Sequence, residues 1–197
     1  TTFGSADASG FEARFSTDGR QLAWAEWNDE RGGTLVVARA DGSRPRTVAT
    51  SRGVIREPHF SPDGSQLVYR IQAPDPNFGG ARAKPGIYRV AVGGGESRFV
   101  ASGDRAPHFS PRGDRIFIIE KDYAGESPAE ILVSVTPDGY DRHEHLRTPD
   151  ADTSELSPSP DHRWIAFRER QQYYVMPWHE TGNRITVSAL AGEVPAH

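Results

Sequence analysis

The chain has 197 residues, 36% of them hydrophobic, and a formal net charge of −4. This balance, with no basic stripe, argues against a nucleic-acid or anionic-membrane partner. No apolar run approaches the roughly 20 residues of a spanning helix, so no membrane insertion is expected. The absence of cysteine excludes disulfides and thiolate metal sites and leaves the compartment open. The chain opens Thr1-Thr2 with no methionine or signal peptide, as expected of a processed or trimmed product.

The first predicted unit has an inner strand starting near Glu12 and ending in Phe15-Ser16-Thr17-Asp18-Gly19. Aspartate in such a turn bonds back to its own backbone, and glycine accepts positive φ. Strands follow at Gln21–Trp27, Thr34–Ala40 and Arg46–Thr50, the last two joined by the hairpin residues Asp41-Gly42. The second unit runs Glu57–Ser61, the turn Ser61-Pro62-Asp63-Gly64, then Gln66–Ile71, Gly86–Val92 and Ser97–Ala101, with Gly93-Gly94-Gly95 between the last two. In the third, Phe109-Ser110-Pro111-Arg112-Gly113 precedes Arg115–Lys121, Glu130–Thr136 and Arg142–Arg147, with Asp138-Gly139 as the hairpin. In the fourth, Pro158-Ser159-Pro160-Asp161-His162 precedes Arg163–Glu169, Tyr173–Trp178 and Ile185–Leu190, with Thr181-Gly182 as the hairpin.

The repeated phrase starts at 15, 60, 109 and 158, at intervals of 45, 49 and 49. A period of about 40–50 residues marks propellers, in which each small sheet buries its faces only against its neighbours. Residues 1–197 therefore read as all-β, a β-propeller of four four-stranded antiparallel blades over about 12–50, 57–102, 106–147 and 155–190. No strand is left over at either end to complete a distant blade, so the four blades are expected to belong to a larger ring. A closed four-bladed ring is the alternative. Two open blade faces would expose apolar surface and drive self-association.

Both tight turns of each unit fall at one end. The other end gathers the links between units and the longer loops Asn28–Gly33, Ala73–Pro85, Asp122–Ala129 and Arg170–Gln172. Loops on a rigid scaffold carry function. A partner is therefore expected there, meeting Phe78 and Arg82 of the longest loop and Tyr123 of the next blade, since aromatics beside arginine are common interface anchors. The plainer alternative has Phe78 folded onto its own blade.

Along the inner strands, Glu12/Arg14, Glu57/His59, Ala106/His108 and Glu155/Ser157 share one side by the two-residue period and face a polar channel. Glu57, His59, His108 and Arg14 are thus candidate binding residues at a channel mouth, for an anionic group or a metal. The competing reading is a hydrogen-bonded ring around channel water, and no metal site is assigned. His143-Glu144-His145 reads as surface decoration on an outer strand. Gly125-Glu126-Ser127-Pro128-Ala129 fails as a serine-hydrolase elbow, because the residue after Ser127 is a proline without the N–H an oxyanion hole needs. Gly93-Gly94-Gly95 lacks the Lys-Ser/Thr of a phosphate loop. Trp24 and Trp164 are expected to pack between blades.

Pro58-His59-Phe60-Ser61-Pro62-Asp63-Gly64 with Ser65–Tyr69, and Pro107-His108-Phe109-Ser110-Pro111-Arg112-Gly113 with Asp114–Ile118, resemble the repeats of TolB-type β-propellers. The resemblance covers about residues 12–190. It implies a periplasmic or exported bacterial protein that binds another protein or a peptide, and it brings no residue-level site. Ser159–Phe167, continued by Tyr174–Trp178 and Thr181-Gly182, is similar to propellers that precede an amidohydrolase domain. No amidohydrolase metal-ligand motif is present, so that catalysis does not transfer. The expectation is a non-catalytic interaction module needing no cofactor. The alternative is an accessory propeller segment of a larger amidohydrolase or peptidase, and a metal- or sugar-binding ring is a third reading.

Overall fold

The computed structural model describes residues 7–72, 83–178 and 185–187. Its repeated phrase recurs because one turn is built four times. The residue at the glycine position donates its N–H to the serine carbonyl: Gly19 to Ser16, Gly64 to Ser61, Gly113 to Ser110 and His162 to Ser159, each at 2.9 Å. The serine hydroxyl then accepts the first N–H of the next strand, from Gln21 and Gln66 at 2.9 Å, Arg115 at 3.2 Å and Trp164 at 3.0 Å. That hydroxyl donates to Asp18, Asp63 or Asp161; in the third turn Arg112 replaces the aspartate, and Ser110 donates instead to Asp114 at 2.7 Å.

Four such turns organise four sheets. The first contains β1 (Ser9–Phe15), β2 (Gln21–Asn28), β3 (Gly32–Arg39) and β4 (Arg46–Ser51), and the second contains β5 (Val54–Phe60), β6 (Gln66–Gln72), β7 (Gly86–Ala91) and β8 (Arg98–Ala101). The third contains β9 (Arg105–Phe109), β10 (Ile116–Asp122), β11 (Ala129–Val135) and β12 (His143–Arg147), and the fourth β13 (Thr153–Pro158), β14 (Trp164–Glu169) and β15 (Gln172–Pro177). Neighbours within these runs pair antiparallel. The architecture is all-β, four antiparallel sheets arranged as propeller blades.

The fourth blade departs from the expected strand plan. Ile185–Thr186 (β16) does not pair with β15; it runs parallel along β12, with Leu146 opposite Ile185 and Arg147 opposite Thr186. Val187 continues the contact through its N–H to the Arg147 carbonyl and is fully buried. Those apolar side chains bury against the third blade, whose outer edge β16 covers; residues 188–190 of the expected strand lie outside the described residues.

The core is a series of seams between blades. Ala23, Leu35 and Val37 of the first sheet meet Phe60, Leu67 and Tyr69 of the second. Val68 and Ile87 then meet Phe109, Ile116 and Ile118, and Phe117 and Leu132 meet Leu156, Ile165 and Phe167. Each such side chain contributes roughly 1.5–3 kcal/mol by leaving water. Trp24 is buried with Leu22, Val36 and Ala38 on the opposite face of the first blade, its indole N–H bonded to Glu26 at 2.8 Å. Trp164, expected between blades, is 46% exposed, because it occupies the fourth-blade face beyond which no described sheet lies.

Candidate functional site

The inner strands do not alternate strictly. Each carries a bulge at one repeat position, where Glu12, Glu57, Ala106 and Glu155 adopt φ of 52°, 54°, 53° and 60°. The ladder register shifts at the same place, between Phe11 and Arg14, Arg56 and His59, and Ser154 and Ser157. Left-handed backbone is uncommon outside glycine and needs support from its surroundings. Here the support comes from the neighbouring blade. The Glu57 N–H donates to the Glu12 carboxylate, and the Ala106 N–H donates to Glu57 Oε2 at 3.1 Å. At the third position alanine offers no carboxylate, and Glu130 of β11 substitutes, accepting from the Leu156 N–H at 3.1 Å and from Arg105 at 2.6 Å. Arg56 reaches back to Glu12 at 3.1 Å, and Arg70 lies 3.1 Å from Glu57 within its own blade. Glu12 and Glu57 therefore act as clasps between blades, whereas Glu155 is held within its own blade by Arg168 and Tyr173.

Arg14, Glu57, His59 and His108, expected around a channel, do line one cavity of about 330 Å³. Ser157 and the turn residues Ser159 and Pro160 also line it, so it reaches the tight-turn end of the blades. Glu57 and Arg105 in its wall are committed to their partners. Arg14 is exposed, its guanidinium donates only to the Ala13 carbonyl at 3.3 Å, and among the described residues no carboxylate pairs with it.

The imidazoles have defined tautomers. His59 Nδ1 lies 3.0 Å from the Phe60 carbonyl and must donate to it, leaving Nε2 as an acceptor. His108 Nδ1 donates to the Ala106 carbonyl at 2.9 Å, so its Nε2 accepts from His162 Nε2–H at 3.2 Å. The His108 ring stacks on Phe117, with centroids 5.6 Å apart, and Phe117 meets His162 edge-on. Burial holds His108 far below the ordinary imidazole range, at about 3, opposed by its bond to Ala106 and reinforced by His162 and His59. His162 is pushed to about 4 by burial, and His59 is lowered by burial with Arg14 adding to the effect. These rings are neutral hydrogen-bonding groups at pH 7.

Sequence reading missed His162 and misplaced His145. His162 stands where the other turns carry glycine, at φ 55°, and the substitution delivers a side chain onto His108. That departure from the phrase was its available signal. His145, expected on the surface, is buried beside Phe117 and Trp178, bonded through Nε2 to Ser134 Oγ at 2.7 Å and lowered to about 4 by burial. It is buried because Phe117 of β10 and Trp178, which follows β15, pack against its ring. His143 stays exposed and pairs with Asp141 at 2.8 Å.

On the loop-rich end, Tyr123 is 68% exposed, whereas Phe78 and Arg82 lie outside the described residues. Tyr140 at the tight-turn end is 74% exposed, so exposure alone does not select a face. Ser127 accepts the Ala151 N–H at 3.2 Å, and β11 begins at Ala129, so no helix follows it. Among the described residues, no three His, Asp or Glu side chains are grouped to hold a metal, and no helix is long and apolar enough to cross a membrane.

This repeated sheet-and-clasp architecture defines the class, a β-propeller. No protein-family model matches the chain. Over 54 residues it is 44% identical to the Tol-Pal system protein TolB of Alkalilimnicola ehrlichii, covering 26% of this chain and 13% of that protein. The crystal structure of TolB from Acinetobacter baumannii aligns with a TM-score of 0.65 and 14% identity, over 87% of this chain and 41% of that one. A prolyl endopeptidase structure aligns with a TM-score of 0.59 and 16% identity, over 87% of this chain and 27% of that one. In each case the chain spans less than half of the protein it resembles. The fold is a TolB-like β-propeller, and these likenesses lend no support to an amidohydrolase association.

Proposed function

We propose that this chain is a non-catalytic interaction module that binds a protein or peptide, with contacts reaching Tyr123 on its loop-rich face and an anchor in the inner-wall cavity. One observation carries the reading: Arg14, without a carboxylate partner among the described residues, lines the same cavity as His59, whose Nε2 is left as an acceptor. Together they suit a segment offering a carboxylate and a backbone or side-chain N–H. Burial holds the histidines neutral, and among the described residues Ser127 Oγ is bonded by the Ala151 N–H rather than by a base, which favours binding over turnover. The partial likeness to TolB supports a protein partner and, by the same resemblance, a periplasmic or exported setting.

The test is selection of a random peptide library on the immobilised chain, with affinities then measured by fluorescence anisotropy. Arg14→Ala and His59→Ala should each weaken a selected peptide about fivefold or more, the scale of a contact worth about 1 kcal/mol or more. Tyr123→Ala should weaken it more than Arg44→Ala or Tyr140→Ala at the tight-turn end. Peptides indifferent to Arg14 and His59, or lost on Tyr140→Ala alone, would overturn the reading. The second reading, an accessory propeller of a larger peptidase, draws on the structural likeness to a prolyl endopeptidase. It predicts a peptidase domain in the same reading frame.

A further inference from the structure

We propose that a cavity beside the hairpin joining β7 and β8 binds a short zwitterionic peptide, its carboxylate between Arg89 and Arg98 and its cationic group toward Glu96. The observation that carries this is a pair of guanidiniums with a single carboxylate to share. Arg89 and Arg98 lie directly opposite each other on β7 and β8, so both side chains stand on one face of the second blade. Like charges set opposite each other across two strands repel, and a counter-charge relieves them. Arg89 has its own counter-charge in Asp138 of the third blade, and it also donates to Gln66 Oε1 at 2.9 Å. Arg98 is exposed and has no carboxylate at ion-pair distance among the described residues.

The neighbouring blades avoid this arrangement. Counted from the phenylalanine of the repeated phrase, the same two positions hold Ser134 opposite His143 in the third blade and Val37 opposite Arg46 in the first. In the third blade the nearby cation, Arg115, is matched within the blade by Asp141 at 2.8 Å. Among the described blades with a fourth strand, the second alone sets two guanidiniums on facing strands.

Both arginines line one cavity of about 510 Å³, together with Ser65, Gln66, Ala91 and Glu96. That volume lies within the usual range for a small-ligand site. Ser65 Oγ is committed to Asp63 at 2.7 Å and Gln66 Oε1 to Arg89, so the wall offers donors from the two guanidiniums and the Gln66 amide N–H group. Two guanidiniums and the Asp138 carboxylate leave a single positive charge, which suits one carboxylate. Glu96, exposed and without an ion-pair partner among the described residues, opposes a multiply charged oxyanion and suits an ammonium. A short peptide with free ends carries both groups. This cavity lies at the tight-turn end and shares no lining residue with the one that holds Arg14 and His59.

The test is a titration of the isotope-labelled chain with trialanine, followed by amide NMR shifts. Saturable shifts should appear at residues 65–66, 89–91 and 94–98. Trialanine capped at both ends, and inorganic phosphate, should each bind at least tenfold more weakly. Arg98→Gln should weaken trialanine about tenfold or more, and Glu96→Gln about fivefold, the scale of losing a charge-assisted contact. Both residues are exposed, so each variant should keep its far-UV circular dichroism. Arg14→Ala should leave the affinity unchanged, which separates this site from the inner-wall cavity. Absence of shifts at these residues would overturn the proposal, as would capped trialanine or phosphate binding as tightly as trialanine. Affinity unaltered by Arg98→Gln, or lost on Arg14→Ala, would overturn it equally.

Discussion

Acidification should weaken this fold in a window set by its histidines. A neutral imidazole held in a dry site binds a proton less readily than in the unfolded chain, so the unfolded state takes up protons first. The stability owed to His108 is complete above its unfolded value of about 6.5 and drains as pH falls toward its folded value of about 3. Between pH 7 and pH 5 that single group accounts for at most ~2 kcal/mol, since the unfolded state gains a roughly thirtyfold protonation factor that the folded state lacks. His108 is half-buried and borders the cavity, which lowers the figure. His162 and His145, each at about 4, act in the same direction, although His108 and His162 share a hydrogen bond and will not add independently. The carboxylates act lower: Asp63, drawn to about 2 by hydrogen bonds from Ser61 and Ser65, loses its contribution only as pH falls below about 4. Urea unfolding followed by tryptophan fluorescence at pH 7 and pH 5, on the wild type and His108→Gln, reads the effect. The variant should lose less stability on acidification than the wild type, by up to ~2 kcal/mol. Equal losses in the two proteins would refute the assignment of a dry, neutral His108.

Other outcomes follow from the clasps and seams. Glu57→Ala removes the acceptor of the Ala106 N–H and the partner of Arg70, whose Nε is buried and lies at ion-pair distance without hydrogen-bond alignment. The cost should be about 2 kcal/mol in urea unfolding, and Glu57→Gln should recover part of it by keeping the acceptor. Gly139→Ala sets a Cβ 2.1 Å from the Val100 carbonyl oxygen at φ 86°, so it should lower the melting temperature by several degrees, a loss of about 1–3 kcal/mol. Ser127→Ala removes one acceptor from the Ala151 N–H and should change stability by no more than about 1 kcal/mol. Purified wild type and Ser127→Ala should be equally inert toward ester and peptide substrates.

The blade plan was legible because the turn chemistry is local. Serine, aspartate and glycine at fixed offsets make the same bonds in each repeat, and strand boundaries read from them fall within a few residues of β1 to β15. The channel residues were legible in part, since the two-residue period brought Arg14, Glu57, His59 and His108 to one wall. The bulge was not, because a left-handed residue within a strand leaves no mark on hydropathy alternation. Glu57, read as a candidate binding residue at the channel, thus also bonds across to the next blade. Non-local contacts were hidden for a related reason. Nothing near Ile185 states that it will cover the third blade, and the burial of His145 depends on Trp178 of the fourth blade. His162 was visible only as a break in a phrase, whose meaning depends on His108, 54 residues earlier in the chain.

Amide hydrogen exchange on the chain with and without a selected peptide tests the central claim most directly, because it maps the contact without presuming a residue. The account predicts protection of the inner-strand segments 55–60, 105–109 and 155–159 around the cavity, together with the 122–129 loop. Protection confined to the outer tight turns at 41–44 and 138–141, with the inner strands unchanged, would contradict it.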